Sequence, residues 1–247
     1  NRTLAEKDGP IVPLIAETGG INAMIVDSTA LPEQVADDVA LSAFRSAGQR
    51  CSALRLLFLQ DDVADHMLEM ITGAAKELKL GDPAARETDV GPVIDEEARE
   101  NLMRHIADMK EHAQLVWHGE APEELNGSFV PPHIFELSAF DGLQREAFGP
   151  ILHVCRWKAS ELDKVIAAVN GTGYGLTFGV HSRLQTLADY IVPRVNAGNI
   201  YINRNIIGAI VGVQPFGGMG LSGTGPKAGG PLYLTRFVEE KTVSNNT

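Results

Sequence analysis

Cysteine, aromatic residues and long apolar runs are all scarce in this 247-residue sequence. Its two cysteines, Cys51 and Cys155, are too few for the disulfide framework of a small secreted domain, so we expect a reducing, cytoplasmic environment. No uninterrupted apolar run is long enough to cross a bilayer, and no basic segment followed by an apolar one opens the chain. The sequence therefore predicts neither a transmembrane helix nor a signal peptide.

Basic residues are also in the minority, with 21 Lys and Arg against 32 Asp and Glu, for a formal net charge of -11. This acidic balance argues against nucleic acid or an anionic membrane as the main partner. It leaves an anionic small molecule open, because backbone N–H groups can bind an anion locally. What the sequence does contain is 44% hydrophobic residues, which is enough to bury a sizeable core.

Apolar segments of strand length alternate with amphipathic segments of helical period, which predicts an α/β fold with a mostly parallel sheet flanked by helices. The predicted strands are residues 11–16, 23–26, 54–59, 152–157, 176–180 and 198–203. The predicted helices are residues 32–47, 61–78, 95–112, 161–169 and 184–195. Residues 119–132 are polar and rich in Pro and Gly, which predicts a loop and leaves the position of short strands within it open.

Acidic residues before two of these helices predict side-chain caps, from Asp61 or Asp62 in one and from Asp95 in the other. The histidines show no paired metal spacing, so no metal site is predicted. His105 and His112 are seven residues apart on one predicted helix, which indicates a solvated helix face.

Cys51 lies between a predicted helix end and a predicted buried strand, within Gly-Gln-Arg-Cys-Ser at residues 48–52. A thiol in such a loop can act as a nucleophile if Arg50 or backbone dipoles lower its pKa. A free cysteine is otherwise a small buried hydrophobic residue, and composition alone favours that interpretation. The same interpretation suits Cys155, which lies inside a predicted strand.

Two acidic residues stand close to glycines. Glu17 ends a predicted strand two residues before Gly19 and could be a general base, although a lone Glu is more often a solvated turn residue. Glu146 could accept hydrogen bonds from ribose hydroxyls, and the alternative is a surface ion pair with Arg145. A literal Gly-x-Gly-x-x-Gly at residues 218–223 is discounted, because no predicted strand leads into it and no helix follows.

Four segments, in this order, resemble the signature of the aldehyde dehydrogenase family. They are Glu-Thr-Gly-Gly at 17–20, Gly-Gln-Arg-Cys at 48–51, Glu-Ala-Phe-Gly-Pro at 146–150, and Pro-Phe-Gly-Gly at 215–218 with Ser-Gly at 222–223. Glu17 and Cys51 are 34 residues apart, which matches the family spacing. The resemblance implies the three-layer α/β catalytic domain of that family.

The resemblance also implies roles for individual residues. Cys51 would be the nucleophile, with its own N–H supplying one oxyanion hydrogen bond, and Glu17 would activate the water that hydrolyses a thioacyl intermediate. The implied cofactor is NAD, with Glu146 holding the nicotinamide ribose and Phe148 packing against that end of the cofactor.

Longer strings at residues 10–20, 46–55 and 203–218 resemble the glutamate-semialdehyde (pyrroline-5-carboxylate) dehydrogenase branch of bacterial proline-utilisation enzymes. This implies a bacterial, cytoplasmic enzyme of proline catabolism whose aldehyde substrate carries a distant carboxylate. The positions matching the carboxylate anchor are Ser52, Gly208 and Ala209, which offer a hydroxyl and two backbone N–H groups. Two alternatives stay open: an aldehyde dehydrogenase of other specificity, and a module that is inactive on its own.

The resemblance divides the chain into three parts. Residues 1–20 correspond to the end of the NAD-binding domain, 21–235 to the catalytic domain with its aldehyde-anchor loop at 203–218, and 236–247 to the start of an oligomerisation strand. The family's cofactor loop and oxyanion asparagine lie upstream of the first motif. We therefore expect a piece of a longer, homo-oligomeric polypeptide that does not bind NAD measurably by itself. We expect FAD only if a proline dehydrogenase domain precedes this segment.

Overall fold

The computed structural model describes residues 1–122 and 125–247. The strands in that part of the chain are β1 (Asn22–Val26), β2 (Leu54–Gln60), β3 (Gln114–His118), β4 (His133–Leu137), β5 (Ile151–Trp157), β6 (Tyr174–Gly175), β7 (Thr177–His181), β8 (Asn199–Ile202) and β9 (Met219–Gly220). The α-helices are α1 (Arg2–Ala5), α2 (Pro32–Phe44), α3 (Asp61–Lys76), α4 (Glu96–His112), α5 (Leu162–Gly171) and α6 (Gln185–Ile191). Short 3-10 helices lie at Arg45–Gly48, Ala159–Glu161, Val192–Arg194 and Leu234–Phe237.

Seven strands form one sheet in the order β3-β4-β5-β2-β1-β7-β8, in which the β3/β4 pair is antiparallel and the other pairs are parallel. Every residue of β1, β2 and β7 is buried, as expected for central parallel strands that are covered on both faces. The two-residue strands β6 and β9 form a separate antiparallel pair. The predicted mostly parallel α/β sheet is confirmed.

Helices cover both faces of the sheet. On one face, α2 and α3 pack against each other and against β2 and β5. The chain moves from β1 to β2 through α2, but it returns from β5 to β7 through α5, in the opposite direction across the sheet. Since parallel crossovers are right-handed, this reversal puts α5 and α6 on the other face and produces three layers.

The two predicted helix caps have different outcomes. The Asp95 carboxylate accepts a hydrogen bond from the Ala98 N–H at 2.8 Å, so this cap is confirmed. The cap predicted from Asp61 or Asp62 is wrong, because α3 already includes both residues and makes no side-chain cap bond at Gln60. The two acidic residues lie in the first turn, where their negative charges interact favourably with the positive end of the helix dipole.

One predicted strand is absent, and two strands of the main sheet were not predicted. Residues 11–16 form no strand, and Ile11 is fully exposed, because prolines at 10 and 13 interrupt a segment that has no neighbouring strand along its length. Strands β3 and β4 were not predicted, since β3 is a half-exposed edge strand and both border the polar loop 119–132. Apart from these, each predicted strand and helix is present, with boundaries that differ by a few residues.

The surface of the molecule includes both ends of the chain. Helix α1 contributes no buried residue, and residues 239–247 are exposed and form no strand within the chain. Within residues 1–122 and 125–247, no helix has both the length and the apolar character needed to span a bilayer.

Candidate active site

The predicted catalytic and cofactor residues lie along the amino-terminal edge of the sheet. Glu17 precedes β1, Cys51 precedes β2 and Glu146 precedes β5. These three strands are adjacent and parallel, so the residues before them meet at one edge. The prediction that Glu17 ends a strand is therefore wrong, and the site lies opposite the carboxyl edge that open α/β sheets ordinarily use.

The backbone around Cys51 is fixed by a buried side chain that the sequence analysis did not identify. The Asn22 amide, at the start of β1, donates to the carbonyls of Cys51 at 2.7 Å and Ala53 at 2.8 Å. Its oxygen accepts the Thr177 N–H at 3.1 Å, and the Thr177 hydroxyl donates to the Ser52 carbonyl at 3.2 Å. These bonds fix the loop and leave the Cys51 residue exposed.

The two thiols lie in opposite environments. Cys155 is buried in β5 and its thiol donates to the Ala139 carbonyl, and burial raises the pKa of this thiol to about 12. The pKa of Cys51 is also raised, first by partial burial and then by the charges of Glu17 and Glu146. The backbone N–H groups of Ser52 and of Cys51 itself oppose this shift in pKa. The interpretation as a buried hydrophobic residue therefore holds for Cys155 but not for Cys51.

Glu17 is held against the glycine-rich segment from the far end of the sequence. The Thr18 N–H donates to the Ser222 carbonyl at 3.1 Å, and the Thr224 N–H donates to the Ala16 carbonyl at 3.0 Å. The fully buried Ser222 hydroxyl donates to the Gly19 carbonyl at 2.9 Å. The Glu17 carboxylate faces Gly217, and Glu17 remains exposed to solvent. The segment that includes the discounted glycine motif thus serves as a support for Glu17.

Glu146 forms an ion pair, but its partner is Arg55 of β2 rather than Arg145. Nε and Nη2 of Arg55 donate to Glu146 Oε1 at 3.3 and 3.1 Å, and the Arg55 side chain is fully buried. Burial raises the pKa of Glu146, while Arg55 and the Gly20 N–H counteract this change in pKa. A Cβ at Gly19 would overlap the Glu146 carboxylate and displace it, so glycine at this position permits the observed placement of the carboxylate.

Phe148 and Glu146 both line an open cleft of about 590 Å³, which is bounded by α4 and by Gln49. The ring of Phe148 is 44% exposed, and its centroid lies 5.2 Å from the guanidinium of Arg55. The Gln49 amide connects this cleft to the loop that carries Cys51, since it accepts the Ile94 N–H at 2.8 Å and donates to the Pro92 carbonyl at 3.2 Å.

The predicted anchor loop, residues 203–218, runs from the carboxyl end of β8 back towards its amino end. The Ile206 N–H donates to the Ser42 hydroxyl of α2 at 3.1 Å, and the Asn199 amide donates to the Pro215 carbonyl at 2.9 Å. Gly208 and Arg50 line the same cavity of about 330 Å³, so the loop reaches the segment that carries Cys51.

The three predicted anchor residues differ in accessibility. Gly208 is exposed, with a φ of 72° that favours glycine, and Ala209 is half-buried. Within the described residues, neither backbone N–H donates to an acceptor, whereas the next one, of Ile210, donates to the Gln214 amide oxygen at 3.0 Å. Ser52 is buried. The loop therefore presents two adjacent free donors beside the segment that carries Cys51.

Two supporting residues, Asn22 and Arg55, were missed because each looks ordinary in sequence, whereas Ser222 was identified in a motif but was given no role. Asn22 begins an apolar strand, and Arg55 interrupts one. A charged residue inside an otherwise apolar strand was the available signal, because such a residue must be paired when it is buried. No cluster of potential metal ligands occurs in the described part of the chain.

The fold and this edge define an α/β protein in which an exposed thiol lies close to two carboxylates. A family model described as "Aldehyde dehydrogenase family" matches residues 2–243, and the chain belongs to this family.

Named relatives agree with this assignment. The chain is 54% identical over 242 residues to a "Bifunctional protein PutA" of Klebsiella aerogenes, covering 96% of this chain and 18% of that protein. It superposes with a TM-score of 0.96 and 67% identity on a crystal structure of bifunctional proline utilization A (PutA), covering 98% of this chain and 24% of that one. With a 1-pyrroline-5-carboxylate dehydrogenase from Thermus with bound NAD, the TM-score is 0.85 and the identity 39%, covering 91% of this chain and 43% of that one. The chain thus spans about a fifth to less than half of these relatives.

Proposed function

We propose that this chain is the catalytic part of a longer bacterial, cytoplasmic polypeptide that oxidises L-glutamate γ-semialdehyde to glutamate with NAD in proline catabolism. The observation that carries the proposal is the exposed Cys51 thiol beside the carboxylates of Glu17 and Glu146. The names of the PutA and 1-pyrroline-5-carboxylate dehydrogenase relatives support the substrate.

The chain's residues are suited to hold the nicotinamide end of NAD. Arg55 binds only one oxygen of Glu146, so the carboxylate keeps acceptor capacity for the two hydroxyls of a ribose. Phe148 offers an exposed ring at the same cleft. When bound, NAD⁺ accepts the hydride from the substrate carbon.

Cys51 carries the substrate through the reaction. Its raised pKa keeps the thiol protonated at rest, so the proton must leave to solvent as sulfur bonds to the aldehyde carbon. Loss of hydride from that carbon leaves a thioester on Cys51. Glu17 then takes a proton from water. The resulting hydroxide attacks the thioester carbon, the C–S bond breaks, and the carboxylic acid product leaves.

The far carboxylate of the substrate is assigned to Ser52, Gly208 and Ala209. The free N–H groups of Gly208 and Ala209 support this assignment, since adjacent backbone donors bind an anion without a side-chain cation.

The partial coverage of the relatives supports a division of the longer polypeptide. Residues 1–20 end its NAD-binding domain, residues 21–235 form the catalytic domain, and residues 236–247 begin an oligomerisation strand. The polypeptide forms homo-oligomers, and it binds FAD where a proline dehydrogenase domain precedes this segment.

The test is a comparison of kcat/KM for glutamate semialdehyde and for an aliphatic aldehyde of similar length, with the intact polypeptide and NAD. We expect the carboxylated substrate to be preferred, and we expect Ser52→Ala to reduce kcat/KM for that substrate alone. Equal values for the two aldehydes would favour an aldehyde dehydrogenase of other specificity. Absence of NAD reduction with either aldehyde would reject the enzymatic proposal in favour of a module without turnover.

A further inference from the structure

A fully buried arginine, Arg55, connects the two functional loops. It belongs to neither the Gly-Gln-Arg-Cys nor the Glu-Ala-Phe-Gly-Pro segment, and no catalytic step described above uses it. Burying a guanidinium is costly unless its donors are paired, so the identity of its partners indicates what it supports.

The donors of Arg55 reach both loops. Nη2 donates to the Arg50 carbonyl at 3.2 Å, next to Cys51, and Nη1 donates to the Gly149 carbonyl at 3.0 Å. Nε and Nη2 donate to Glu146 Oε1. The planar, forked guanidinium can make these bonds together, which the single ammonium of a lysine cannot.

A bulge in the sheet directs Arg55 to this position. Asn22 pairs with Leu54 and the next residue of β1, Ala23, pairs with Leu56, so Arg55 is the extra residue of β2. An extra residue of this kind changes the direction of its side chain relative to the regular alternation.

Two histidines also support Arg55 through its backbone carbonyl. The Arg55 carbonyl accepts the Nδ1–H of the fully buried His153 at 3.0 Å. The Nε2 of His153 is then an acceptor, and His105 Nε2 donates to it at 2.8 Å. The predicted solvated role of His105 is therefore wrong, because this residue of α4 is half-buried against β5.

We propose that Arg55 is a positioning residue that sets the Glu146 carboxylate for the ribose of the dinucleotide and ties it to the loop before Cys51. This inference rests on the ribose role of Glu146 in the proposed function. Without the guanidinium, the half-buried carboxylate would lose its charged partner and the fixed orientation of its second oxygen.

The experiment is a double-mutant cycle in the intact polypeptide with Arg55→Lys, Glu146→Gln and both together. The NAD⁺ dissociation constant is measured by calorimetry and the KM for NAD⁺ by turnover. We expect Arg55→Lys to weaken NAD⁺ binding about tenfold, the size of one lost charge-assisted hydrogen bond. In the Glu146→Gln background, the same change should have an effect of less than about twofold, because Arg55 acts through Glu146.

A matched control keeps the cycle informative if folding is affected. Arg156→Lys makes the same substitution on the neighbouring strand β5, at an arginine paired with Glu136 and Asp65 at 2.7 Å each, and should leave NAD⁺ binding unchanged. Equal NAD⁺ affinity in Arg55→Lys and the parent would overturn the inference, and so would equal effects in both backgrounds. NAD⁺ binding that follows the expected cycle in a polypeptide without aldehyde oxidation would support the inference and reject the proposed function.

Discussion

The two edges of the central sheet carry similar buried polar groups but use them differently. At the carboxyl edge, Asp27 accepts hydrogen bonds from the Thr29 N–H and hydroxyl at 2.9 and 2.8 Å and from the Ser182 hydroxyl at 2.7 Å. At the amino edge, Asn22 bonds to the carbonyls of Cys51 and Ala53 while Cys51 itself stays exposed. The first network closes the end of the sheet, whereas the second fixes a loop around reactive groups.

This difference indicates why the site lies at the less common edge. Asp27, Thr29 and Ser182 of the carboxyl edge are hydrogen-bonded to one another, and Asn203 adds two further bonds to the Ser182 backbone at 2.9 Å each. The amino edge combines segments from distant parts of the sequence, which leaves the thiol, the Glu17 carboxylate and two N–H groups available to a ligand.

The largest expected effect comes from removing the thiol of the amino edge. Cys51→Ala should reduce the rate of aldehyde oxidation by at least about a thousandfold, since covalent catalysis has no other nucleophile at this position. Cys155→Ala is the matched control and should remain active, because that thiol is buried inside β5. Steady-state NADH production by the intact polypeptide measures the activity of both variants. An active Cys51→Ala variant would show that the exposed thiol of the amino edge is not required for the reaction.

The next effect concerns the second reactive group of that edge. Glu17→Gln should lower kcat by about a hundredfold or more, because the amide cannot take a proton from water. NADH should still appear in a burst equal to the enzyme concentration, since formation of the thioester requires only one turnover. Rapid-mixing absorbance measurements detect this burst. A reduced kcat without a burst would show that Glu17 acts before hydride transfer.

A smaller effect is expected from two variants that each remove one side chain from one of the two networks. Asn22→Ala and Asp27→Ala should each lower the free energy of unfolding by about 2 to 3 kcal/mol, because each leaves buried partners unsatisfied. Only Asn22→Ala should also reduce kcat/KM, by about tenfold or more, since Asn22 holds the Cys51 carbonyl. Urea unfolding and kinetics on the same samples provide the test. Equal loss of kcat/KM in both variants would show that the site responds to stability in general.

The smallest effect at neutral pH concerns the free energy of unfolding, because this effect develops only in acid. Burial lowers the pKa of His153, behind Arg55, from its ordinary 6.5 to about 3. The unfolded chain then binds a proton that the folded chain does not, so stability should fall below pH 6.5 by up to about 1.4 kcal/mol per pH unit until pH 3. His153→Gln should reduce this slope, measured by urea unfolding between pH 7 and 5. His112→Gln, at an exposed site on α4, should leave the loss in place.

The apolar middle of the fold could be predicted because buried parallel strands appear in the sequence as continuous hydrophobic runs. β2 and β7 were identified in this way, and all of their residues are buried. Residues 11–16 have the same local character but no neighbouring strand, which no local pattern reveals. The edge strand β3 has the reverse property, since its exposed ends weaken the pattern although β4 pairs with it.

The site could be predicted only in part, for a related reason. Cys51, Glu17 and Glu146 were identified through motifs, and the structure brings them to one edge. Arg55 and Asn22 act through contacts with residues 91 and 29 positions away, which a sequence pattern does not display. The bulge at Arg55 also depends on the pairing of two strands, so the direction of this side chain could not be derived from the alternation of β2 alone.

The support of Glu17 by the glycine-rich segment has a consequence for how the protein is made. Gly19 and Ser222, which are hydrogen-bonded, are separated by 203 positions. At a translation rate of about 5 to 20 residues per second, a ribosome needs roughly 10 to 40 seconds to travel from one to the other. For most of that interval the nascent chain carries Glu17 and Cys51 without the segment that holds Glu17, so the site is not assembled until nearly all of this chain has been translated.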